Sequence, residues 1–290
     1  MFFLYRLLTY LVLIVSPLII FYRLIIGKED SKRYLEKFSL NSYERPKGNL
    51  IWFHGSSVGE VLSVIPIIKE LEKHKKIKKI LITSSTLSSS KVVSKLNLKK
   101  TIHQFYPIDN YYITSKFLNH WQPNLVVFLE SEIWPVMIEN IKKNNIPLLL
   151  VNGRITKKSF NNWKKLLPNT KKIFEQFDKC FVQNDETFKY LKILGAKNIS
   201  KIGNLKFIED KEELKNTRRL RKFEFLKQRK IWCASSTHEG EEKICMDAHK
   251  ILKRKHKALL TIIIPRHVER ISNIIDMAKK ENLNFLLHSK

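Results

Sequence analysis

The chain has 290 residues and a formal net charge of +27, with 54 lysines and arginines against 27 acidic residues. Its length and 43% apolar content suit two domains with real cores, and with only eight glycines they exclude a low-complexity protein. The charge draws polyanions such as anionic headgroups or phosphorylated substrates, but the lysines are spread along the chain and no zinc-finger, RRM or basic-helix pattern appears, so nucleic acid is not an expected partner.

Residues 7–22, LLTYLVLIVSPLIIFY, carry no charge, and residues 24–26 extend the apolar run beyond Arg23. About 20 helical residues cross a hydrocarbon layer. Residues 2–26 suffice once Arg6 and Arg23 reach the two interfaces, and Pro17 would kink such a helix without forbidding it. A cleaved signal peptide needs small residues at its cleavage site, and IIGKEDSKR offers a poor one. An interfacial helix would show a polar face, and this segment shows almost none. Lys28, Lys32, Arg33 and Lys37 follow directly. The positive-inside rule therefore predicts a single-pass membrane anchor over residues 1–27, with the bulk of the chain in the cytoplasm.

Downstream, short apolar runs alternate with amphipathic stretches. NLIWFHG (49–55), KKILITSS (78–85), NLVVFLE (124–130), IPLLLVN (146–152) and KCFVQN (179–184) read as strands. Helices are expected over about 58–74, through Val92 and Val93, and over about 134–143. Strands that are apolar throughout and separated by helices predict a parallel sheet covered on both faces. Residues 208–230 are highly charged without a strand pattern, which predicts a linker with a surface helix. The alternation then resumes: IWCASS (231–236), a helix over 239–253, ALLTIIIP (258–265), a helix over 270–280, and a final strand NFLLH (284–288). The expected architecture is α/β, with one Rossmann-like domain over 28–207 and a second over 231–290. In such sheets ligands sit beyond the carboxyl ends of the strands. Cys180, Cys233 and Cys245 show no metal-ligand spacing, and an odd, sparse set fits a reducing compartment.

Polar blocks stand at those strand ends. In HGSSVGE (54–60), Ser57 and Glu60 have capping-box spacing, so they can simply cap the next helix. The same carboxylate at a strand-to-helix junction could instead take a proton from a hydroxyl. LESEIWP (129–135) holds Glu130 and Glu132, either as helix N-terminal charges or, by strand alternation, as a pair facing one cleft. Lys206 in GNLKF (203–207) reads as a solvated lysine unless it faces a substrate anion. STHEGEE (236–242) offers another capping box, Ser236 with Glu239. IIIPRHVER (262–270) ends a strand on Pro265, Arg266 and His267, where Arg266 suits a phosphate or, more plainly, an ion pair with Glu269. His54, His238 and His267 match no zinc template, so no metal is expected.

HGSSVGE, LESEIWP, VNGRI (151–155), GNLKF, STHEGEE and IIIPRHVER occur in the order and rough spacing of the bacterial Kdo transferases. The chain resembles that family from the N-terminal segment to its last residue (Kdo is 3-deoxy-D-manno-octulosonic acid). The resemblance implies a GT-B glycosyltransferase of two Rossmann-like domains behind an N-terminal membrane helix. It implies transfer of Kdo from CMP-Kdo to the 6'-hydroxyl of a tetra-acylated lipid A precursor, lipid IVA, in lipopolysaccharide synthesis, with no metal or other cofactor. Matched by position, Glu60 would be the general base, Glu130 and Lys206 would stabilise the transition state, and Pro265 and Arg266 would begin the CMP site. Anionic inner-membrane lipids are the further expected partner. VNGRI matches without an assigned role. Where the family commonly has Asp after GNLKF, this chain has Ile208. Family members also continue for about another half domain, so the second domain is expected to be incomplete. Two alternatives stand beside this expectation: a GT-B transferase using another nucleotide sugar, and an inactive membrane protein that binds lipid A precursor or anionic lipid.

Overall fold

A computed structural model describes residues 2–40, 43–167, 169–207 and 229–287, with side chains from Tyr5 onward. It divides into two compact units, Met1–Asp210 and Lys211–Lys290. The linker and surface helix expected over 208–230 lie outside the described residues except for Arg229 and Lys230.

The first unit opens with helix α1 (Phe2–Ile25), and Tyr5–Ile25 is long and apolar enough to cross a membrane by length and composition. A 3-10 turn at Tyr34–Phe38 follows. Seven parallel strands then form one sheet: β1 (Leu50–His54), β2 (Lys79–Ser84), β3 (Thr101–Phe105), β4 (Leu125–Leu129), β5 (Leu148–Gly153), β6 (Lys179–Val182) and β7 (Ile199–Lys201). Their spatial order is β3-β2-β1-β4-β5-β6-β7. Helices α2 (Val58–Lys73), α3 (Leu87–Lys95), α4 (Tyr111–Trp121), α5 (Pro135–Lys143), α6 (Lys157–Lys164), α7 (Asn169–Phe174) and α8 (Asp185–Leu194) connect them.

The apolar strands bury both faces. In β1, Leu50 and Trp52 enter one core with Phe117, Trp121, Val126, Phe128 and Leu150. Phe53 points the other way and joins Val61, Val64, Ile68, Ile80, Ile82, Val127 and Leu129. Adjacent residues in two cores leave no polar face, which is why these strands read as continuous apolar runs.

The order in which strands are added reverses between β1 and β4, which run parallel side by side with Ile51 opposite Leu125 and His54 opposite Phe128. Such a switch point opens a crevice at the carboxyl ends of the two strands, because the connections leave to opposite sides.

Among the described residues the second unit holds two parallel strands, β8 (Ile231–Thr237) and β9 (Leu260–Pro265), with α9 (Glu241–Lys255) and α10 (Ile271–Lys280). The expected capping box of Ser236 and Glu239 does not form. Ser236 is a bulge residue with φ 59°, the register shifting between Ser235 and Thr237, and α9 starts later, with Gly240 as its N-cap. Glu242 performs the local bonding instead: it is fully buried, accepts from Thr237 Oγ1 at 2.9 Å and takes a two-pronged pair from Arg270 at 3.0 Å. The final strand expected at NFLLH is likewise not formed. Residues 284–287 pair with no strand among the described residues, Leu286 is 98% exposed, and His288 is outside the description.

Candidate active site

Glu60 sits in the first turn of α2, just past the end of β1. Ser57 is the N-cap, its hydroxyl accepting from Glu60 N–H at 3.3 Å. The Glu60 carboxylate reaches back, accepting from Ser57 Oγ at 2.9 Å and from Ser56 N–H at 2.7 Å. The capping role foreseen for Ser57 and Glu60 is thus present, and the half-buried carboxyl still stands at the crevice side of the sheet. Close approach makes this possible: a Cβ on Gly55 would lie 2.9 Å from Leu129 Cδ1 and 3.0 Å from Glu60 Cβ.

The β4 end supplies two more carboxylates, with different surroundings. Strand alternation was expected to point Glu130 and Glu132 the same way. In the structure β4 ends at Leu129, and Glu130 takes φ 50°, a left-handed conformation that non-glycine residues seldom hold. Its carboxylate pairs with Lys206 Nζ at 2.6 Å and lies 3.5 Å from Asn152 Nδ2. Glu132 turns to the β1 side. Its Oε2 accepts from Trp134 Nε1 at 2.7 Å, from Ser56 Oγ at 2.9 Å and from His54 Nε2 at 3.1 Å.

These partners set the charges. Burial pushes Glu132 upward, but the hydrogen bond and positive character of His54, with Trp134 and Ser56, outweigh it and hold the carboxyl below the ordinary glutamate range. Glu60 is raised. Burial is the main cause and the Glu132 charge the next, opposed by the Ser57 and Ser56 hydrogen bonds, with Glu130 adding a smaller push upward. One carboxylate held ionised beside another held reluctant to ionise is the arrangement that gives neighbouring acids separate roles.

Behind them lies a rigid floor. His54 is fully buried, its ring stacked on Tyr106 at 3.7 Å and its Nδ1 against Thr83 Oγ1 at 3.0 Å. Both ring nitrogens are therefore engaged. Asn152, at φ 58°, accepts Leu205 N–H at 3.0 Å through its side chain and Gln183 Nε2 at 2.9 Å through its carbonyl. It thereby fixes the short turn Leu205–Phe207 that carries Lys206.

The residues the sequence proposed in the first unit, Glu60, Glu130 and Lys206, therefore come together. Lys206 lies near α2: an added Cβ on Gly59 would be 3.8 Å from Lys206 Nζ. Ser56, Asn152, Trp134 and Tyr106 were not assigned roles from the sequence. VNGRI contains Asn152, but its left-handed backbone is invisible in a string of letters. In the second unit, Pro265 ends β9, and Arg266 is exposed with its N–H on Thr237 O at 3.0 Å. Glu269 takes His267 at 3.5 Å rather than the foreseen Arg266. Among the described residues no group of three His, Cys, Asp or Glu side chains is placed to hold a metal ion.

Comparison with known proteins gives the context. A family model described as 3-deoxy-D-manno-octulosonic-acid transferase (kdotransferase) matches residues 32–209. The 3-deoxy-D-manno-octulosonic acid transferase of Rickettsia bellii is 37% identical over 281 residues, covering 97% of this chain and 67% of that protein. The enzyme of the same name from Rickettsia felis is 33% identical over 328 residues, covering 97% and 70%. Among solved structures, a UDP-GlcNAc 2-epimerase from Neisseria meningitidis superposes with a TM-score of 0.59 at 17% identity, over 82% of this chain and 70% of that one. That likeness shows the fold, a parallel sheet with flanking helices of the GT-B type. The family model and these relatives place the chain in the Kdo transferase family, and it is a glycosyltransferase of that family.

Proposed function

We propose that the protein transfers Kdo from CMP-Kdo to a hydroxyl of a lipid A precursor, lipid IVA, with Glu60 as general base. The observation that carries this reading is the placement of Glu60 at the β1–β4 switch point, with its pKa raised and with the Lys206–Glu130 pair beside it. In the reaction the acceptor oxygen forms a bond to the anomeric carbon of Kdo, its proton passes to Glu60, and the bond from that carbon to the CMP phosphate oxygen breaks. The bonding pair leaves with CMP. A raised pKa makes the carboxylate a better proton acceptor near neutral pH, and positioned general-base help is worth about 10²–10⁴ in rate.

Charge development at the anomeric carbon favours a preorganised carboxylate, a role Glu130 fits because Asn152 and Lys206 fix it in place. Lys206 would hold an anion, either the Kdo carboxylate or the departing phosphate. In the second unit, Pro265 and Arg266 would begin the CMP site, the exposed guanidinium suiting a phosphate. The reaction as written uses no metal or other cofactor. Helix α1 supplies membrane attachment, and the basic run after it keeps the two α/β units on the cytoplasmic face, where an anionic leaflet holds the phosphorylated acceptor.

The test supplies CMP-Kdo and lipid IVA and compares the protein with Glu60→Gln. Transfer is expected to fall by about 10²–10⁴ while CMP-Kdo binding is retained. Undiminished transfer would remove Glu60 from the base role. Consumption of a different nucleotide sugar in place of CMP-Kdo would overturn the donor assignment.

A further inference from the structure

The polar residues of α1 fall mainly on one seam. Arg6, Thr9, Ser16 and Arg23 recur with Leu13 and Ile20 at alternating spacings of three and four, the rhythm of a single helix face. Thr9, Ser16 and Ile20 are buried, and Leu13 is half-buried. Outside the seam most of the large apolar side chains are exposed, among them Ile14 and Leu18 at 72% and Phe21 at 63%.

Both ends of the helix are tied to the same α/β unit. At the N-terminal end, Tyr5 donates to Asp109 at 2.8 Å, Arg6 pairs with Glu139 at 2.6 Å, and Asn110 Nδ2 reaches Thr9 Oγ1 at 3.4 Å. The Arg6 guanidinium also lies over the Tyr111 ring. At the C-terminal end, Arg23 and Lys37 share one oxygen of the buried Glu29, each at 2.6 Å, and the Lys37 carbonyl accepts Ile108 N–H.

A helix of 24 residues is about 36 Å long, enough to cross a bilayer, but a crossing puts its two ends on opposite sides. Here the α/β unit bonds both ends. Crossing would strip Arg6 from Glu139 and Tyr5 from Asp109, leaving a largely buried carboxyl without that partner.

We propose that α1 lies in the plane of the membrane, its polar seam clamped to the α/β unit and its apolar face set into the acyl layer of an anionic phospholipid surface. Read as sequence, the segment shows almost no polar face; the face exists and is covered by protein rather than by water. The occupant of the exposed side follows from charge. The surface is broad and apolar, exposed Lys28 and Lys32 stand at its end, and the chain carries +27. That combination attracts anionic headgroups while acyl chains take the apolar residues. The inference rests on the membrane attachment proposed above and replaces a span with an in-plane anchor.

The experiment uses the full chain with a cysteine-bearing tag before Met1, expressed in cells converted to sealed spheroplasts. A membrane-impermeant maleimide added outside is expected to leave the tag unlabelled until the membrane is opened; exposed Cys233 serves as the seal control. Labelling of the tag from outside, with Cys233 still protected, would overturn the in-plane anchor while leaving membrane attachment intact. In a second arm the Thr9→Cys, Asn110→Cys pair is bound to phosphatidylglycerol-containing vesicles and oxidised. A disulfide between the two is expected, and its absence on vesicle-bound protein counts against the clamp. Co-sedimentation reads attachment by itself. Ile14→Glu with Leu18→Glu is expected to weaken vesicle binding about tenfold or more, and failure of the parent protein to sediment with vesicles would overturn the attachment as well.

Discussion

Glu60 and Glu132 are joined through a single residue: Ser56 gives its N–H to Glu60 Oε2 at 2.7 Å and its hydroxyl to Glu132 Oε2 at 2.9 Å. Each carboxylate thus feels the other across one serine. The charge of Glu132 is one of the two main reasons why Glu60 is raised, burial being the larger.

Removing that charge makes Glu60 ionise more easily. In Glu132→Gln the carboxyl of Glu60 is expected to titrate at lower pH than in the parent protein, because a like charge no longer opposes its ionisation. Carbon-13 NMR of the labelled carboxyl reads this directly, and the acidic limb of the kcat/KM profile should move the same way. A Glu60 titration that stays fixed would show that burial alone sets it.

Lys206 holds a carboxylate that is only 8% exposed as a residue. Lys206→Met leaves Glu130 without its counter-charge and is expected to cost about 1–3 kcal/mol of stability, measured by denaturant unfolding. The double variant Lys206→Met, Glu130→Gln should recover part of that loss while transfer stays low. Full recovery of transfer in the double variant would mean that the pair serves the fold alone.

Two glycines near Glu60 should respond in opposite ways. Gly55→Ala drives a methyl against Leu129 and Glu60 at about 3 Å, and a loss of about 1–3 kcal/mol with a drop in transfer is expected. Gly59→Ala meets only Lys206 Cε and Nζ at 3.8 Å, an ordinary contact. It should be neutral or stabilising by up to about 1 kcal/mol, since alanine favours the helix. Thermal melting of the two variants decides it.

His103 links stability to pH. It is pushed down from 6.5 to about 3, chiefly by burial and then by the Arg33 guanidinium. Neutral His103 bonds Ser84 Oγ at 2.8 Å and Arg33 at 3.2 Å. With the folded pKa depressed, its contribution is complete above about 6.5 and is lost progressively as the pH falls from there towards 3. The parent protein should lose melting temperature across that window, and His103→Gln should lose less. Parallel curves for both proteins would exclude His103 as the source.

The long apolar strands and the polar blocks that hold Glu60, Glu130 and Lys206 were legible because such runs and strand-end blocks carry strong local signals. β3 was missed: its TIHQF buries His103 and Gln104, and polar residues disguise a buried strand. The split between Glu130 and Glu132 was illegible for another reason. Strand alternation holds only while the strand continues, and β4 stops one residue before Glu130. The polar seam of α1 was hidden likewise, because hydropathy averages around a helix and its covering partners lie more than a hundred residues away.

The pairing of Lys206 with Glu130 also bears on how the first unit is made. Synthesis delivers Glu130 and the β1–β4 pairing well before Lys206, which arrives on one of the last turns of the unit. Until the turn that carries Lys206 docks on Asn152, Glu130 therefore lacks its counter-charge. The Glu130–Lys206 corner is completed only when one of the last turns of the unit is made, and a ribosome stalled before position 206 would hold a sheet without that ion pair.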